Sequence, residues 1–134
     1  MKALDTSILV RYYTGDDARQ SAAAVKTLSE EPALFVPKTT VLELWWALTS
    51  KRGYNIAASK ASEAIRHLAG LDNTVLEDAD AVALALKYQQ QGVEFADALH
   101  LASSAGCEQL LTFDVAFKKR ATKLNLRPSC IVPA

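Results

Sequence analysis

Four acidic residues stand where an acid invites a chemical explanation. Asp5 closes the apolar run of KALD, and Asp114 closes LLTFD. Glu43 is the single charge in VLELWWAL, and Asp97 the single charge in FADAL. Each is flanked by apolar residues, unlike the loop acids Asp16, Asp17, Glu30 and Glu31. An acid buried in such company must be paired, protonated or bound to a cation, because burying it alone is costly.

Brought together, four carboxylates raise one another's pKa unless a cation neutralises them. Oxygen ligands with no paired His or Cys suit a hard cation, Mg²⁺ or Mn²⁺, rather than zinc. One or two such ions can activate water and stabilise an in-line displacement at phosphorus. The chemistry implied is hydrolysis of a phosphate ester. Each acid also has a plainer use, as a helix cap or a partner of the helix dipole. For Glu43 the plain alternative is a solvent-facing stripe, although its neighbours leave little polar face.

Hydroxyls accompany the acids. Thr6 and Ser7 follow Asp5, and Thr112 lies two residues before Asp114, on the same side of a strand. They can orient a carboxylate or a water from behind. Ser7 reads first as the cap of the helix that follows it.

The elements that must position these residues alternate. Lys2–Asp5 reads as a buried strand, followed by helices over Ile8–Tyr13 and Ala18–Leu28. Ala33–Val36 is a strand closed by Pro37. A helix then starts at Thr39 or Thr40 and runs through the Trp pair to Gly53. Asn55 caps a fourth helix ending near Gly70, and NTVLE is a brief strand. Helices over Asp80–Gln91 and Phe95–Ala105, a strand over Gln109–Phe113, a helix over Ala116–Leu124 and a last strand at CIV complete the pattern. Strands alternating with helices imply an α/β sandwich around a mostly parallel sheet of four to five strands. Ligands of such a sheet bind beyond the carboxyl ends of its strands, where Asp5 and Asp114 fall. No repeat or linker interrupts the chain, so one domain over residues 1–134 is expected.

Bulk properties agree with a soluble domain. Half of the 134 residues are hydrophobic, and 15 basic residues balance 15 acidic ones. With no net field to gather a polyanion, nucleic-acid binding must rest on a local basic patch. Candidates are Lys118, Lys119, Arg120 and Lys123 after Asp114, Lys51 and Arg52 after the Trp pair, and Arg11, one to two turns beyond Asp5. There is no apolar signal segment and no run long enough to span a membrane. Cys107 and Cys130 have no metal-ligand spacing and read as free thiols of a cytoplasmic protein. His100 shares a helix face with Asp97 and reads as structural, and His67 as a surface residue. Trp45 and Trp46 point about 100° apart, so one is expected in the core and the other at a surface.

With LDTSILV, LELWWAL, FADALHLA and LLTFD in this order, the chain resembles the PIN-domain ribonucleases, most of all the VapC-type toxins of toxin–antitoxin pairs. The resemblance covers essentially the whole length and implies a three-layer α/β/α fold and a metal-dependent endonuclease that cuts RNA. It places the family's acidic quartet on Asp5, Glu43, Asp97 and Asp114, with Glu94 as a further metal-site acid and Thr112 at a hydroxyl position. It also implies a homodimer held inactive by a DNA-binding antitoxin.

Two other readings compete. An aspartyl-phosphate phosphatase would use Asp5 as nucleophile, but wants an acid two residues on, where Ser7 stands. A non-catalytic metal- or RNA-binding module would use the acids structurally.

Overall fold

Asp5 decides where the chain first turns from strand to helix. Its backbone is extended (φ −82°, ψ 157°), and its carboxylate accepts from the Ser7 N–H, so helix α1 (Thr6–Thr14) begins directly after it. That leaves strand β1 only Lys2–Ala3. The cap is therefore Asp5, not Ser7 as the sequence suggested. Ser7 lies inside the first turn, and its own hydroxyl donates to Asp5 Oδ2 at 2.7 Å.

The computed structural model describes residues 1–134 and divides the chain into two compact units, residues 1–79 and 80–134. In the first unit, α1 is followed by α2 (Ala18–Glu30), β2 (Leu34–Val36), α3 (Lys38–Thr49), α4 (Ala58–Ala69) and β3 (Thr74–Leu76). The strands form a parallel sheet in the order β1-β2-β3, with Lys2 opposite Leu34 and Leu34 opposite Thr74. Its core includes Leu9, Leu34, Val36, Val41, Leu44, Ile65 and Leu68.

Two helix starts in this unit differ from expectation, the first because a distant residue sets it. Helix α3 starts at Lys38, where the Glu77 carboxylate accepts the Lys38 N–H at 2.8 Å and replaces a local cap. It stops at Thr49 rather than at Gly53. Asn55 does not cap α4: it takes a left-handed conformation (φ 51°), and Ala57 holds the cap position.

The second unit holds α5 (Ala79–Gln90, whose first residue belongs to the first unit), α6 (Phe95–Ser103), β4 (Gln109–Leu111), α7 (Val115–Lys123) and β5 (Ser129–Ile131). Strands β4 and β5 pair in parallel, with Leu110 opposite Cys130. Phe95, Ala98 and Leu101 of α6 are fully buried. The α/β character and the parallel pairing agree with the sequence. The single sheet of four to five strands does not appear: five strands are shared between a three-stranded and a two-stranded sheet. At two or three residues each, these strands have few ladder hydrogen bonds to offer. No helix is long and apolar enough to cross a membrane.

Candidate active site

The acids are fixed by the same local device used several times. Asp5 caps α1, Glu94 caps α6 and Asp114 caps α7. Each cap uses one carboxylate oxygen. Asp5 Oδ2 takes Ser7, Glu94 Oε2 takes the Ala96 and Asp97 N–H groups at 2.9 and 3.3 Å, and Asp114 Oδ1 takes the Phe117 N–H at 3.0 Å. The plain reading as helix caps is thus correct, yet it does not exhaust these residues. Capping orients the carboxylate and leaves its second oxygen available.

In the first unit, Glu43 is reached from α1: Thr6 Oγ1 donates to Glu43 Oε1 at 3.2 Å. Glu43 is exposed, not surrounded by apolar side chains. Thr39, Glu43 and Trp46 form the exposed stripe of α3, while Val41, Leu44, Trp45 and Leu48 face inward. Helical periodicity puts a charge in an apolar sentence onto the wet side. Trp45 is 5% exposed and Trp46 49%, which separates the two tryptophans. The two Ser7 hydrogen bonds hold the Asp5 carboxyl below its ordinary pKa.

In the second unit, Asp97 lies on α6 two residues into the helix and three after Glu94. Burial raises its pKa, and the nearby charges of Glu94 and Asp114 raise it further, while His100 acts in the opposite sense. Asp97, Glu94 and Asp114 line a cleft of about 270 Å³ together with Gly92, Phe117 and Arg120. A second opening, about 400 Å³, also borders Asp97 and is lined by His100, Ser103, Ser104, Thr112 and Phe117. Thr112 Oγ1 accepts the Asp114 N–H at 3.0 Å and so fixes the turn that presents this acid.

The donor chemistry fits a hard cation: the ligand atoms are carboxylate oxygens, and Asp97 already carries the electrostatic cost of two neighbouring acids. No group of three or more His, Cys, Asp or Glu side chains is arranged to hold a metal ion. The five acids stand as Asp5 and Glu43 in one unit and Glu94, Asp97 and Asp114 in the other.

The sequence pattern of the PIN domain matches residues 2–123. This chain belongs to the PIN domain family. Among solved structures, Mycobacterium tuberculosis VapC20, described as a sarcin–ricin loop cleaving toxin, is similar at 24% identity. That likeness covers 89% of this chain and 94% of the other, with a TM-score of 0.41. No curated protein matches the chain.

Within this PIN domain the basic candidates separate. Arg11 is engaged: its Nη1 donates to Asp16 at 2.8 Å and to the Tyr54 hydroxyl at 3.2 Å, and its Nε to Gln20 at 2.7 Å. Lys118 lines a different opening, beside Thr122, Asn125 and Ser129, and Lys119 is exposed outside the acidic cleft. The residue at the acids is Arg120, which the sequence offered only as one of a cluster. Its spacing carried the signal, since Phe117 and Arg120 are three apart and share a helix face. His100, expected to be structural, is exposed at the second opening. His67 is exposed as expected and accepts company from α1: its Nδ1 lies 2.9 Å from the Tyr13 hydroxyl.

Proposed function

We propose that this PIN domain is a metal-dependent endoribonuclease, the toxin of a toxin–antitoxin pair acting in the cytoplasm. The observation that carries the reading is the cleft lined by Asp97, Glu94 and Asp114, with the Asp97 pKa raised by burial and further by its two acidic neighbours. Carboxylates crowded in this way are relieved by a divalent cation. Mg²⁺ is commonly held by one or two carboxylates plus waters and substrate phosphates, so it does not require a closed set of protein ligands.

The family resemblance assigns the metal acids as Asp5, Glu43, Asp97 and Asp114, with Glu94 as an additional acid and Mg²⁺ or Mn²⁺ as the cation. When bound, such an ion neutralises charge on the phosphate and makes water a better nucleophile. The chain's own residues orient the parts. Ser7 fixes Asp5, Thr6 fixes Glu43, and Thr112 fixes the turn at Asp114. Asp114 and Glu94 each keep one oxygen on a helix N-terminus and present the other.

The family resemblance extends the reading to a homodimer restrained by a DNA-binding antitoxin. The deciding experiment incubates purified protein with total RNA in Mg²⁺ or Mn²⁺, then with EDTA. New RNA ends that disappear with chelator, and in Asp97→Asn, support the reading. A competing reading, a module that binds without cutting, draws on the lack of a ready group of three metal-ligating side chains. Such a module would retain RNA uncut under every condition.

A further inference from the structure

The acidic cleft of the second unit contains one cation of its own, and its surroundings are specific. A Cβ built on Gly92 would lie 3.5 Å from Cζ and Nη1 of Arg120 and 3.7 Å from Nε. Three consecutive atoms of a planar group at nearly equal distance mean that Gly92 meets the face of the guanidinium, not its edge. The N–H donors of a guanidinium point outward in its plane. They are therefore left free of the glycine.

Gly92 suits this role twice. Its φ of 104° is strained for any side chain, and its bare backbone leaves room for the flat group to lie over it. Glu94, Asp97 and Asp114 line the same cleft, yet Arg120 forms no ion pair with any of them. By contrast, Arg11 carries a comparable charge and spends it on Asp16. Arg120 is held beside carboxylates without being consumed by them.

A phosphodiester entering this cleft meets three negative side chains. A divalent cation on the acids would offset part of that repulsion but would leave the rest of the backbone unanchored. A second, fixed positive group is needed to hold the backbone in place, and guanidinium matches phosphate with two parallel hydrogen bonds. We propose that Arg120, seated on Gly92, is a phosphate-binding residue that positions the RNA backbone in the acidic cleft. The inference rests on the ribonuclease reading for its choice of RNA, and it concerns binding rather than bond cleavage.

The test measures affinity for a short single-stranded RNA in EDTA, where no cleavage occurs, across a salt series. Wild type is compared with Arg120→Ala and with Lys119→Ala, which removes the same charge from the neighbouring position outside the cleft. Arg120→Ala is expected to weaken binding about tenfold and to flatten the dependence of log affinity on log salt by about 0.7, the loss of one phosphate contact. Lys119→Ala should do markedly less. Mn²⁺ affinity without RNA should not fall in Arg120→Ala, since the acids are intact. Arg120→Gln gives the same comparison where the alanine variant folds poorly. Unchanged binding in the Arg120 variants, or an equal loss in Lys119→Ala, would overturn the proposal. If wild type binds RNA through Arg120 but never cuts it, the ribonuclease reading fails and the phosphate site stands. If it cuts RNA and binding ignores Arg120, only the phosphate site is lost.

Discussion

Thr6 Oγ1 donates to Glu43 Oε1 at 3.2 Å, joining the first turn of α1 to the exposed stripe of α3. The contact spans 37 residues and aligns an acid that otherwise has a free, rotamer-rich side chain. Thr6→Val keeps the shape and removes the donor. Partners that orient a ligand from behind are worth roughly 10–100-fold in metal affinity or activity. RNA cleavage by Thr6→Val should fall within that range, and Thr6→Ser should restore most of it. Equal cleavage by Thr6→Val and wild type would remove Thr6 from the site.

Asp114 has two separable duties. As N-cap of α7 it accepts the Phe117 N–H, and asparagine can do the same. As the metal ligand proposed above, it would need its charge. Asp114→Asn should therefore unfold at nearly the wild-type urea midpoint while losing cleavage by more than about a hundredfold, beyond what an orienting partner costs. Asp114→Ala should lose cleavage equally and also lose about 1 kcal/mol of stability with the cap. Measuring both properties on both variants separates the two duties.

What the sequence disclosed follows the range of the interactions. Local signals were sufficient for the alternation of strands and helices and for placing Asp5 and Asp114 where a strand gives way to a helix. Tertiary hydrogen bonds were invisible. Glu77 sets the start of α3 from 39 residues away, and Asn73 donates to the Leu28 and Glu31 carbonyls near the end of α2. Glu43 was misjudged for another reason. An apolar string suggests burial on all sides, but at 100° per residue even VLELWWAL keeps one wet stripe, and Glu43 and Trp46 occupy it. Arg120 was not singled out within its cluster, because four nearby basic residues hide which one a helix turns toward the acids.

Arg11 looked like an RNA contact from its nearness to Asp5. Its donors instead connect α1 with Asp16, Gln20 and Tyr54, and the Tyr54 hydroxyl also donates to Asp16. The hydrogen bond from Tyr54, with those from Thr14 and Arg11, holds the Asp16 carboxyl below its ordinary value. A depressed folded-state pKa adds stability above the unfolded value of 3.8, lost as pH falls through the lower folded value. Arg11→Ala should lower the urea midpoint at neutral pH, with a smaller difference from wild type in strong acid. RNA affinity in EDTA should stay close to wild type, the reverse of the pattern expected for Arg120.

Ser62 on α4 is 2% exposed, and its hydroxyl has no hydrogen-bond partner. A buried polar group left unpaired costs about 1–3 kcal/mol, whereas an apolar group of similar shape is free of that cost. Ser62→Ala removes one oxygen and leaves only a small void. The variant should be more stable by about 1 kcal/mol in urea unfolding. Its cleavage of RNA should be unchanged, because Ser62 touches none of the acids.

Asp97 ties stability to activity in opposite senses. Burial, with help from Glu94 and Asp114, raises its pKa above the ordinary 3.8. The folded state therefore binds this proton more tightly than the unfolded chain does. Stability falls as pH rises from 3.8 to the raised value, and the penalty persists unchanged at neutral pH. Asp97→Asn cannot ionise and escapes it. In EDTA at pH 7 the variant should melt above wild type, with the advantage vanishing in acid below pH 3.8. Adding Mn²⁺ should raise the wild-type melting temperature and narrow the gap, since the cation relieves the same repulsion. The more stable variant should also be inactive on RNA. A melting temperature below wild type at pH 7 in EDTA would show that the Asp97 carboxylate supports the fold rather than burdening it.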